Sequence, residues 1–158
     1  MAITGVTTFL WFDNEAMEAA EYYVSLFPGS KIGSVSHYQK DAFKPEGTVL
    51  TVEFQLFGQP FAALNASSQF PHTEAVSFQI GCDTQEEVDR IWNSLTANGG
   101  EESMCGWCKD RFGVSWQVIP NILGQLLSDS DREKSGRAFT AMMKMHKIDI
   151  SELQRAVA

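Results

Sequence analysis

Cys105-Gly106-Trp107-Cys108 has the spacing of a redox dithiol, a chemistry that depends on a thiol pKa lowered at a helix N-terminus. Here the pair runs into a strand-like stretch and a turn. Residues three apart in a strand point to opposite faces and are poorly placed to bridge, which leaves ordinary strand cysteines with Cys105 as a candidate reactive thiol. Glu53 shares a strand face with Thr51 and Gln55 and is the candidate general base, because an apolar cleft raises a carboxylate pKa toward neutrality. The competing reading of Glu53 is a plain exposed carboxylate. Ser77 and Gln79 alternate with Val76, Phe78 and Ile80, and Ser115 and Gln117 alternate with Trp116 and Val118. Ser77, Gln79 and Gln117, with Trp107 as a stacking wall and Asn65 at the mouth, suit hydrogen bonding and stacking on a small polar or aromatic ligand. Against that stands the reading that these groups only solvate a surface covered by a partner subunit. The Met142, Met143 and Met145 cluster reads as helix packing rather than a soft metal site.

The elements that must position these residues come in a repeated order. Val6 to Phe12 is β-branched and aromatic, Asp13-Asn14 suits a helix start, and Glu15 to Phe27 carries apolar or small residues at helical spacing. Pro28-Gly29 stops that helix. Strands are predicted over Lys31 to Gln39, Thr48 to Phe57 and Phe61 to Asn65, with a tight turn at Gly58-Gln59. The order then restarts with a strand from Ala75 to Cys82, the capping-box spacing Thr84-x-x-Glu87, and a helix burying Val88, Ile91, Trp92 and Leu95. Asn98-Gly99-Gly100 ends it; strands over Ser103 to Cys108 and Val114 to Ile119 follow, joined by a turn at Lys109 to Gly113. Two strand, helix and hairpin units imply an internal duplication and an α+β fold of two tandem βαβββ modules. After Pro120 comes a helical tail, broken at Ser128 to Asp131, helical again from Arg137 to Met145, with Ser151 capping a last helix.

The chain has 158 residues and a net charge of -8, with a pI near 4.8. One domain over 1–158 is expected, with module one about 1–68, module two about 72–120 and the tail 121–158. Scattered cations argue against a nucleic-acid partner. The lack of a long apolar run or signal-like start argues against a membrane and for a cytoplasmic protein. Three cysteines, an odd number, suit free thiols in a reducing compartment.

Several strings resemble the vicinal-oxygen-chelate superfamily (glyoxalase, bleomycin resistance, dioxygenase), and more narrowly its PhnB-like branch, often labelled demethylubiquinone methyltransferase. They are Leu10-Trp11-Phe12-Asp13, Ala19-Ala20-Glu21-Tyr22-Tyr23, Leu26-Phe27-Pro28, Gly58 to Asn65, Cys105-Gly106-Trp107 and Lys109 to Gln117. The tail from Ala141 to Asp149 fits the same branch. The resemblance implies an open U-shaped barrel with a ligand cavity on its concave face, a homodimer, and, in enzymes of the superfamily, a divalent metal held by His, Glu or Gln from first and last strands. Counting along this sequence puts Thr8 and Ser77 at the first-strand positions, and Ala62 or Leu64 and Gln117 at the last-strand ones. Only Gln117 is a usable ligand, and His37, His72 and His146 lie elsewhere, so no metal and no other cofactor is expected. A small-molecule binding protein is thus the first reading, with Thr8 added to the ligand-facing set. A metal-dependent lyase, isomerase or dioxygenase is the alternative, and a regulatory interaction module a third. Methyl transfer is not expected, because no glycine-rich loop follows a first strand and the elements alternate wrongly for a doubly wound sheet.

Overall fold

The computed structural model describes residues 2–158. The chain divides into two compact units, one running through His72 and the other Thr73–Ala158.

In the first unit β1 (Thr8–Phe12) leads to α1 (Ala16–Leu26), then β2 (Lys31–His37), β3 (Val49–Leu56) and β4 (Gln59–Asn65). The sheet order is β1-β4-β3-β2, with β1 parallel to β4 and the other pairs antiparallel. Alternation decides the packing. Leu10, Phe12, Val52, Phe54, Leu56, Phe61 and Ala63 are buried on one face, as are Ala16, Ala19, Ala20, Tyr23 and Leu26 on α1. The β3–β4 hairpin turns on Phe57 and Gly58, both with positive φ (49° and 79°), the two-residue geometry whose twist matches paired strands. The predicted turn thus sits one residue earlier.

The second unit repeats the order: β5 (Ser77–Cys82), α2 (Gln85–Thr96), β6 (Glu101–Glu102), β7 (Trp107–Lys109) and β8 (Ser115–Pro120), arranged β5-β8-β7-β6. The capping box on α2 is formed, with Thr84 Oγ1 accepting from Glu87 N and the Glu87 carboxylate accepting from the Thr84 N–H. Asn98 and Gly99 end the helix at φ 54° and 105°.

One predicted strand is broken. Ser103 to Cys108 is not continuous, because Cys105 and Gly106 take left-handed backbone (φ 60° and 82°) and make a turn between β6 and β7. The reason lies in the tail. Cys105 N–H donates to Met145 O and Gly106 N–H to His146 O, each at 2.7 Å. A Cβ on Gly106 would stand 2.8 Å from Ile119 Cδ1 and 2.9 Å from Val118 O, so only glycine fits that approach.

The tail forms α3 (Asn121–Leu127), α4 (Arg132–Met142) and α5 (Ile150–Val157). Leu123, Leu126, Ala138, Met145, Ile148 and Leu153 make its core. Asp131 caps α4, whose first residue Arg132 lies five residues before the predicted start, and Asp149 rather than Ser151 caps α5, accepting from Glu152 N at 2.8 Å. Gln85 on α2 ties the tail down, donating to Ile148 O and accepting from Ile150 N. Among the described residues no helix is long and apolar enough to cross a membrane.

Candidate functional site: the open face of the second sheet

In the second unit, Ile80, Cys82, Cys108, Trp116 and Val118 are buried on the side packed against α2, so the alternate residues belong to the opposite, open face. The register lines them up in two rows. Ser77, Ser115, Lys109 and Glu101 run across β5, β8, β7 and β6, and Gln79, Gln117 and Trp107 form the row beside them. Gln117 Nε2 donates to Ser77 Oγ at 2.8 Å. A cavity of about 120 Å³ lies on this face, lined among others by Glu74, Glu101, Ser103, Trp107, Lys109 and Ser115.

Two features give the cavity its chemistry. Lys109 Nζ lies 3.0 Å from Glu74 and 3.7 Å from Glu101; its hydrogen bond to Glu74 holds the Glu74 carboxyl below the usual carboxylate range and pushes the ammonium up. The Ser115 hydroxyl is the second. The residue is 1 % exposed and its Oγ has no hydrogen-bond partner among the described residues, although the great majority of buried polar groups are paired. It faces the cavity as a donor and acceptor with nothing to bond.

The floor beneath is rigid. Asp110, 2 % exposed, accepts from Phe112 N and Val114 N through Oδ1 and from the Trp116 indole through Oδ2, at 2.8–3.0 Å. That carboxylate closes the turn before β8 and fixes Trp116, which sets the register of Ser115 and Gln117.

In the first unit the face away from α1 carries Phe9, Trp11, Glu53 and Gln55. Glu53 is exposed and accepts a short hydrogen bond from Ser34 Oγ, beside a cavity of about 200 Å³ lined in part by Lys31, Gly33, Gln55 and Pro60. The apolar enclosure a general base needs is not built around it.

The structure therefore brings Ser77, Gln79, Trp107 and Gln117 onto one face and separates Thr8 and Asn65 from such a role. Thr8 shares the helix-side face of Leu10 and Phe12, opposite Phe61. Asn65 is no mouth residue. It is 5 % exposed; its Oδ1 accepts from Ala16 N at 2.8 Å and its Nδ2 donates to Val49 O, so the side chain is consumed in starting α1. Cys105 lies in the turn, its Sγ 3.6 Å from Met143 Sδ. The three cysteines are unbridged, and burial pushes the thiols of Cys82 and Cys108 up to about 11 and about 12. Ser115, Lys109, Glu74 and Glu101 are additions to the set. Lys109 reads as turn in the sequence, and only the break at Cys105-Gly106, which restarts the strand at Trp107, puts it in register with Ser115.

A divalent metal does not fit these positions. The first and last strands present hydroxyls, amides and apolar groups where a cation needs carboxylate or imidazole, and the cavity carboxylates Glu74 and Glu101 are paired with the Lys109 ammonium. Among the described residues no three His, Cys, Asp or Glu side chains converge. S-adenosylmethionine finds no glycine-rich loop either, since β1 passes through Asp13-Asn14 into α1 and each sheet has a single parallel pair.

Comparison with known proteins agrees with this architecture. The family described as 3-demethylubiquinone-9 3-methyltransferase matches residues 4–119. A PhnB protein from Bacillus cereus that carries the same methyltransferase description is 36% identical, with 74% of this chain and 99% of that one covered at a TM-score of 0.67. Protein PA1353 from Pseudomonas aeruginosa is 20% identical over 75% of this chain and 98% of its own, TM-score 0.60. The fosfomycin resistance protein FosX from Listeria monocytogenes shares the fold at 14% identity, covering 82% and 100%, TM-score 0.57. No curated protein matches the chain.

Proposed function

We propose that the chain, which belongs to the family described as 3-demethylubiquinone-9 3-methyltransferase yet brings together no three metal donors among its described residues and has no methyl-donor loop there, is a small-molecule binding protein that acts without a catalytic metal. The ligand lies against the open face of the second unit's sheet. The observation that carries this reading is the buried Ser115 hydroxyl without a partner, facing a cavity. Ser77, Gln79 and Gln117 supply further neutral donors and acceptors, and Trp107 supplies a surface for stacking. Lys109 is paired with both Glu74 and Glu101, which leaves the cavity a surplus of negative charge and disfavours an anion, so the ligand class is polar and uncharged, or aromatic with polar substituents.

The protein is a homodimer in this reading, since exposed edge strands need covering and the edge strand β1 carries Phe9 at 62 % exposure. Its unbridged thiols suit a reducing, cytoplasmic compartment.

Mass spectrometry of small molecules released from protein purified without chelator, with metal analysis of the same sample, is the test. A released organic ligand with metal well below one equivalent is expected. Stoichiometric zinc, nickel, manganese or iron overturns the metal-free reading. Ser115→Ala is expected to weaken the ligand about tenfold, one hydrogen bond's worth, without lowering Tm, because it removes a buried group that has no partner.

A further inference from the structure

The tail helices lie beyond the stretch that the family matches, and they carry a groove unrelated to the sheet. It is open, about 700 Å³ in volume, and runs along α4 beside the end of α5. Arg132, Arg137 and Lys144 line it with a single carboxylate, Glu133. A quarter of the chain's twelve Lys and Arg residues thus gather at one place on an acidic protein, and they leave two positive charges there.

These cations are not spent on the fold. Arg137 is half used, donating through Nε to Ala156 O at 2.9 Å and through Nη2 to Val157 O at 3.3 Å, which holds its guanidinium rigidly at the groove wall. Among the described residues neither the Arg132 guanidinium nor the Lys144 ammonium enters an ion pair or hydrogen bond.

The floor points the same way. Gly136 sits inside α4, where glycine costs about 1 kcal/mol relative to alanine. A Cβ there would meet nothing within 4 Å, so packing within this chain gives no reason to exclude a side chain. What the glycine does is keep the groove floor at the level of the backbone, between Arg132 one turn earlier and Thr140 one turn later.

We propose that this groove binds a phosphate monoester, an organic dianion whose charge matches the two uncompensated positive charges and whose body fills the remaining volume above Gly136. The volume is far more than inorganic phosphate needs and lies in the range of small-molecule sites, several hundred Å³. Arg137, pre-organised by the two carbonyls, presents its remaining N–H groups to the phosphate oxygens, and Arg132 and Lys144 close on it from the exposed side.

Phenyl phosphate, titrated calorimetrically at low salt, is the probe, with phenol and inorganic phosphate as comparisons. Binding at least tenfold tighter for phenyl phosphate than for either comparison is expected, falling with added salt. The double variant Arg132→Gln/Lys144→Gln alters only surface charge and is expected to weaken it tenfold or more. Gly136→Leu should abolish binding by filling the floor, while Tm holds or rises. Ser115→Ala should leave it unchanged, which separates this site from the sheet cavity. Binding that survives the double variant, or phenol binding as well as its phosphate, overturns the proposal. Should Gly136→Leu lower Tm, the double variant alone decides.

Discussion

Asp110 is the residue whose loss should be felt most sharply in the second unit. Its two oxygens receive three N–H donors, and asparagine would turn an NH2 against at least one of them. Asp110→Asn is therefore expected to destabilise by about 2–3 kcal/mol, the cost of leaving buried donors unpaired beside a charge-assisted acceptor, read as a fall in the denaturant midpoint with an unchanged m-value. The cysteines give a second expectation. With Cys82 and Cys108 buried and their thiols raised to about 11 and about 12, the thiolate fraction at pH 8 is on the order of a thousandth or less. One equivalent of a thiol reagent should react quickly with the native protein, at Cys105, and three after unfolding. Rapid labelling of all three would show that β5 and β7 open readily. At this scale the sequence was only partly legible. Period-two alternation places Ser77, Gln79 and Gln117 on one face, because that depends on strand geometry alone. It says nothing of Asn65, whose amide is drawn to a helix N-terminus 49 residues away in sequence.

Elements were legible where a local rule sufficed. The capping box at Thr84 and Glu87, the apolar stripe of α2 and the stop at Asn98-Gly99 each depend on residues a few positions apart. The broken strand at 103–106 and the early start of α4 were not, since one is imposed by carbonyls forty residues downstream and the other turns on which aspartate of Ser128 to Asp131 becomes the cap. The joint at Gly106 can be tested directly. Gly106→Ala puts a methyl into the space of Ile119 and the Val118 carbonyl at φ 82°, and it is expected to cost about 2–3 kcal/mol through overpacking and backbone strain. Hydrogen exchange should localise the damage, with the amides of Cys105 and Gly106 losing protection while α1 keeps its own.

The duplication is the most legible feature of the whole chain: two helices, each preceded by an aspartate-bearing corner and followed by hairpins, give two sheets with the same strand order. Association is the prediction that belongs here. Static light scattering over a concentration series is expected to give about twice the 17.6 kDa chain mass, and a monomer at high concentration would refute the dimer. The tie between Cys105-Gly106 and Met145-His146 has one more consequence, for the order in which the protein is made. The first unit has all its strands once His72 has left the ribosome, and can settle at once. The second is different: the amides of Cys105 and Gly106 in its β6–β7 turn meet their carbonyl acceptors only when residues 145 and 146 emerge, so a unit holding more than half of the residues completes its packing late.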